Sequence, residues 1–172
     1  MTVYVGIDNG CSGSIGIIGL DGGPLYLSPP TKVEQNYTKK KDNVTRIDVP
    51  ALEKLLFETI HAHVAIPERT NIKVFLERPF VNPGAFKATG RALRSLEATL
   101  IVLESLGLSY QYCDSRGWQG KLLPSGLKGA KELKKASKDI GLRMFPMLEK
   151  EIKKQGDADG ILIAEWARRE GL

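Results

Sequence analysis

Apolar residues alternate at Val3, Val5 and Ile7, which predicts a strand over Val3–Asp8, and Ser14–Leu20 reads as its antiparallel partner. The LDGGPL stretch at 20–25 is a hairpin turn in which glycine supplies positive φ, and Leu25–Ser28 completes a meander. Pro29 to Arg46 is polar and without periodicity, and it contains Lys39, Lys40 and Lys41; it is expected to be a mobile loop. Asp48 caps a helix expected from Pro50 to about Val64, with proline in the first turn. Lys73–Leu76 is a β-branched and aromatic run ending in Glu77, and a strand placed after such a helix implies a parallel crossover. Phe86–Ser105 reads as a second helix, with Phe86, Leu93, Leu96, Leu100 and Leu103 on one face and Lys87, Arg91 and Arg94 on the opposite one. Below those bases the outer face turns apolar at Ile101 and Val102, which invites a partner chain. Leu108–Cys113 reads as a fifth strand. Helical stretches follow over about Lys128–Ile140 and Arg143–Gln155, then a last helix from about Asp157 to Arg169. The order predicts an α/β domain over residues 1–172: a mixed five-stranded sheet, antiparallel in its first three strands and parallel in the last two, flanked by helices.

Composition narrows the function. A chain of 172 residues that is 42% hydrophobic suits one ordinary core. No stretch approaches the ~20 apolar residues of a membrane span, and the N-terminus does not resemble a signal peptide, so no membrane role is expected. Cys11 and Cys113 have no metal-like spacing, and His61 and His63 are the only histidines, so the expectation is a cytoplasmic protein without a zinc site. The net charge is +5, but residues 115–156 alone carry +7 and the remainder −2. That segment includes Lys121, Lys131, Lys134 and Lys135, and a localised basic surface points to a polyanion, nucleic acid first. The plainer alternative is a solvated helix face.

Acidic residues interrupt apolar elements at three places. Asp8 ends the first strand, Glu77 ends the fourth in VFLERPF, and Asp157 and Asp159 open the last helix in QGDADGILIAEWARR. If strands one and four are parallel neighbours, Asp8 and Glu77 emerge at one edge, where the last helix must bring its acids. Several carboxylates in one small space repel unless cations neutralise them. With no histidine or cysteine cluster, oxygen ligands point to Mg²⁺, with Mn²⁺ as the alternative, and no small-molecule cofactor is expected. Each acid also has a local reading. Asp8 can hold the Gly10–Gly13 turn, Glu77 can pair with Arg78, and Asp157 suits a helix N-cap.

GIDNGCSGSIGII, FLERPF, GRALRSLEA and DADGILIAEWA, in that order, resemble the successive motifs of RuvC-type Holliday junction resolvases, most of all the phage-encoded branch. YQYCDSRGWQGKL and KKASKDIGLRMFP resemble the family's strand with its tryptophan-and-lysine stretch and its penultimate helix; residues 29–46 are the main unmatched part. The resemblance implies a ribonuclease H-like fold, a homodimer, and Mg²⁺-dependent nicking of two strands at a four-way DNA junction. By the motifs, Asp8, Glu77 and Asp159 match the metal ligands. The family's additional acid or histidine falls where Gly156 stands, and Asp157 is the candidate to replace it if the helix begins between the two aspartates.

The first reading is therefore a junction-resolving endonuclease with two ions at Asp8, Glu77, Asp157 and Asp159. Lys87, Arg91, Arg94, Lys121, Lys131, Lys134 and Lys135 would contact phosphates, which give affinity without sequence information. Gly10, Ser12 and Gly13 are expected to leave room for a DNA backbone. The rival readings are a related nuclease acting on structured RNA, as in ribosomal RNA processing, an actin-like or sugar-kinase ATP-binding fold, and a silent nucleic-acid-binding module. Cut-site bases are not encoded in a form that can be picked out from the chain.

Overall fold

The alternation at Val3, Val5 and Ile7 does build a strand, and all three side chains are buried. The structure, a computed structural model, describes residues 2–36, 41–63 and 71–172. Its strands are β1 (Thr2–Asp8), β2 (Ser14–Ile18), β3 (Leu25–Leu27), β4 (Thr31–Gln35), β5 (Asn43–Ile47), β6 (Asn71–Glu77) and β7 (Tyr110–Cys113). Its helices are α1 (Val49–His63), α2 (Phe86–Ser105), α3 (Ser115–Leu122), α4 (Gly129–Met144), α5 (Glu149–Gln155) and α6 (Asp159–Glu170). The main sheet has five strands in the order β3-β2-β1-β6-β7. β1–β2 and β2–β3 pair antiparallel, while β1–β6 and β6–β7 pair parallel, so the expected mixed sheet is present.

Two apolar layers cover the sheet. On one face Val3, Val5, Ile7, Ile15, Ile17, Val74 and Leu76 pack with Leu52 and Leu56 of α1 and Val102 and Leu103 of α2. On the other, Tyr26 and Phe75 meet Trp118 of α3, Ile152 of α5 and Ile161, Leu162 and Ile163 of α6. Helix α6 lies directly on the strand backbones. A Cβ on Gly6 would fall 2.3 Å from the Gly160 carbonyl oxygen, and one on Gly16 would fall 2.2 Å from the Ile161 Cα. A Cβ on Gly160 would sit 2.7 Å from the Ser14 carbonyl oxygen. Three glycines thus let the start of α6 reach the end of β1.

Four features differ from the expectations or add to them. Residues 31–35 and 43–47 form a two-stranded antiparallel ribbon rather than a loop. Its polar sequence hid it, since Glu34 is ion-paired to both Lys32 and Arg46 along one face instead of marking a buried side. Lys39, Lys40 and the expected helix end at Val64 lie outside the described residues. Second, α2 is rotated from its apolar reading: Ser95, Thr99, Val102 and Leu103 are buried, whereas Phe86, Leu93 and Ile101 are exposed. The Thr99 hydroxyl donates to the Ser95 carbonyl at 2.9 Å, so a polar residue sits inward at little cost, and Val102 belongs to the core, not to an outer patch. Third, Ser115–Leu122 is a helix that the polar sequence concealed. Fourth, Gly13 is small because a Cβ there would lie 2.0 Å from the Asp8 carbonyl oxygen; its role is packing within the turn, not clearance for a ligand. Among the described residues no helix is long and apolar enough to cross a membrane.

Candidate active site

Parallel pairing of β1 with β6, with Ile7 opposite Leu76, brings Asp8 and Glu77 out side by side at the same sheet edge. Helix α6 starts at Asp159, between the two aspartates of the DAD sequence and after Ala158, and the glycine contacts press it against β1 and β2. The Ser14 hydroxyl accepts the Gly160 N–H at 3.0 Å, and the Ser137 hydroxyl accepts the Ala158 N–H at 3.1 Å while donating to Asp159 Oδ1. These contacts anchor the helix start. As a result, carboxylate oxygens of Asp8, Asp157 and Asp159 all lie within 4.8 Å of one another.

Glu77 stands beside this trio. Its Oε2 accepts the indole N–H of the fully buried Trp118 at 2.9 Å, and Arg78 faces Asp114 at 3.8 Å rather than Glu77. Asp157, only 1% exposed, is the most constrained of the four. Its Oδ1 accepts the Tyr26 hydroxyl at 3.0 Å and, more weakly, the Asp159 N–H at 3.4 Å, while Oδ2 pairs with Lys134 at 2.7 Å. Burial, then the Asp157 charge, holds the Tyr26 phenol far above its usual range, so it stays a donor.

The carboxylates resist ionisation together. Burial, then the charges of Asp159, Glu77 and Asp157, holds Asp8 well above the ordinary carboxylate range, with Lys134 opposing. Burial pushes Glu77 up to about 7, against the pull of the Trp118 hydrogen bond, and burial with the Asp157 charge pushes Asp159 up to about 6. Burial lowers the Lys134 ammonium, but its hydrogen bond to Asp157 and the charges of Asp157, Asp159 and Asp8 outweigh this and leave it raised. One lysine does not neutralise four acids. Clustered hard oxygen donors with unbalanced negative charge fit a divalent cation such as Mg²⁺ or Mn²⁺. Asp8, Asp157 and Asp159 are close enough together to hold one, with Glu77 beside them. Asp157 already holds Tyr26 and Lys134.

A sign follows for stability. The folded, metal-free protein keeps protons on Asp8, Glu77 and Asp159 that the unfolded chain, with carboxylates near 4, has released. Stability from these groups is therefore lost as pH rises from about 4 to about 7. Thermal melts in EDTA should show wild-type protein losing ground to Asp8→Asn across that window, and added Mg²⁺ at pH 8 should restore only the wild type.

The other expected contacts are spread more widely. Lys87, Arg91 and Arg94 are exposed on α2, on the side of the ribbon and the Asn9–Ser12 turn for Arg91. Lys131 and Lys135 are exposed on α4, and Lys121 ends α3 within 3.7 Å of Glu170. Lys134 differs from its neighbours in reaching the acids. Trp118, Tyr26 and Ser137 escaped the sequence reading. The one available signal was a tryptophan within an otherwise polar stretch.

This is a ribonuclease H-like fold, with its acidic cluster where the central strands meet the last helix. Among solved structures, the chain is similar to RuvC of Thermus thermophilus in complex with a Holliday junction substrate, at 18% identity and TM-score 0.51, over 98% of this chain and 96% of that one. It is likewise similar to a second Thermus thermophilus RuvC structure, at 18% identity and TM-score 0.52, with the same coverage. No protein-family model matches the chain, and no curated protein matches it. The fold is thus of the RuvC kind.

Proposed function

We propose that this protein is a structure-selective DNA endonuclease that resolves four-way junctions by Mg²⁺-dependent phosphodiester hydrolysis. The observation that carries the reading is the convergence of Asp8, Asp157 and Asp159, with Glu77 alongside, on a RuvC-like fold. Asp8, Glu77 and Asp159 would hold the ions, two for in-line displacement. Divalent ions bound there would supply Lewis-acid stabilisation of phosphoryl charge and a nucleophile competent at neutral pH. Trp118 orients Glu77, and Asp157, fixed by Tyr26, holds the Lys134 ammonium beside the position of the reacting phosphate. Residues 1–172 act as one nuclease unit. Cutting two strands calls for a homodimer, for which Leu93 and Ile101 on the exposed side of α2 offer apolar surface.

The test is a panel of a synthetic four-way junction, linear duplex, flap and structured RNA in Mg²⁺. Preferential cleavage of the junction is expected; preference for structured RNA, or no cleavage of any, overturns the reading. ATP hydrolysis without nucleic acid would point to another class.

Trp118→Phe supplies a second check. Phenylalanine keeps the ring in the core but removes the hydrogen bond that favours ionised Glu77, so protons compete better with metal. The Mg²⁺ concentration for half-maximal cleavage should rise about three- to tenfold at pH 6.5 and less at pH 8.5. An equal shift at both pH values would show that Trp118 acts by packing alone.

A further inference from the structure

The β4–β5 ribbon has no place in the motifs that resemble RuvC, yet it borders the site. A hollow of about 470 Å³ lies between the Asn9–Ser12 turn, β5 and α2, and Asn9, Ser12, Asn43, Thr45 and Arg91 line it. A neighbouring hollow of about 300 Å³ is lined by Asp8, Glu77 and Asn9, so Asn9 is a shared wall between the acidic cluster and the ribbon. Asn9 is held there by donating its side-chain amide to the Ala92 carbonyl at 3.3 Å. On the far side Arg91, Thr45 and Val44 continue into a third hollow of about 440 Å³ along α2. The three depressions adjoin through shared lining residues in a row that begins at Asp8 and Glu77 and ends beside Arg46, Arg94, Glu34 and Glu97. Its middle part carries no acidic side chain, one guanidinium, and the amide and hydroxyl groups of Asn43, Ser12 and Thr45. Such groups suit a phosphodiester backbone, which asks for positive charge and neutral donors without base selectivity.

We propose that the ribbon and Arg91 seat a phosphate of the DNA strand running out of the acidic cluster, so that the ribbon is one wall of the substrate path. This rests on the nuclease reading and adds to it a binding surface on β5, at Asn43–Thr45. Asn43 and Thr45 are exposed, and substitution there touches no core contact.

The test measures junction binding in Ca²⁺ for full-length Asn43→Asp, Thr45→Glu and the double variant. Lys54→Gln, on the exposed side of α1, serves as a control with the same change in charge as each single variant. Each ribbon variant should weaken binding about fivefold and the double variant about thirtyfold, with the control near wild type. Bound junction should also slow alkylation of Cys11, which shares the hollow, while buried Cys113 reports that the fold is intact. Ribbon variants that bind like wild type, while wild type binds and cleaves the junction, overturn the inference alone. Binding losses matched by the control overturn it too, as does loss of the dimer by light scattering, which would make the groove an interface between copies. A wild type that binds no nucleic acid overturns the nuclease reading and this inference with it.

Discussion

Asp8→Asn is expected to reduce junction cleavage by about a thousandfold or more while binding stays within about twofold of wild type. The asparagine is nearly isosteric and keeps an oxygen at the end of β1, so the fold and the phosphate-binding surface persist. What disappears is a negative charge among carboxylates that lie within 4.8 Å of one another, and with it the attraction for a divalent ion. The variant should also melt higher than wild type at pH 8 without metal, because it relieves repulsion from Asp159, Glu77 and Asp157. A gain on the order of 1–2 kcal/mol corresponds to several degrees for a protein of this size. Activity lost with stability gained separates a charge-holding role from a structural one. Loss of junction binding together with cleavage, in a folded variant, counts against the scheme.

Gly16→Ala should be strongly destabilising. The added methyl would lie 2.2 Å from the Ile161 Cα and 2.4 Å from its amide nitrogen, and backbone atoms cannot swing aside as a side chain can. Helix α6 has to lift off β2, at a cost of about 3 kcal/mol or more, and the melting temperature should fall by about 10 °C. Cleavage should fall further than the folded fraction accounts for, because lifting α6 moves Asp159 away from Asp8. Gly90→Ala is the control. Its Cβ meets nothing within 4 Å in the second turn of α2, so it should stabilise by about 0.5–1 kcal/mol. Equal melting temperatures for the two variants would refute the close approach of α6 to the sheet.

The acids that meet were legible in the chain because each breaks an apolar run: Asp8 after Val3, Val5 and Ile7, Glu77 after Val74, Phe75 and Leu76, and Asp159 before Ile161 and Leu162. Periodicity places such residues at element ends, and parallel pairing of β1 with β6 does the rest. Lys134 could be seen only as one base among many. Its reach to Asp157 depends on how α4 crosses the start of α6, which local pattern does not encode. The bond between Trp118 and Glu77 is hidden for the same reason, since it joins residues 41 positions apart. The ribbon failed to register because its strands bury little, and the inward face of α2 because Ser95 and Thr99 occupy it.

Metal-dependent hydrolysis of a four-way junction is proposed at Asp8, Glu77 and Asp159. It is tested most directly by mapping products from a junction with end-labelled strands, with Mg²⁺ and with EDTA. Paired nicks in two opposing strands near the branch point, with 5′-phosphate and 3′-hydroxyl ends, are expected with Mg²⁺ and not with EDTA. Cleavage that persists in EDTA, or nicks scattered along the arms as in linear duplex, would contradict it.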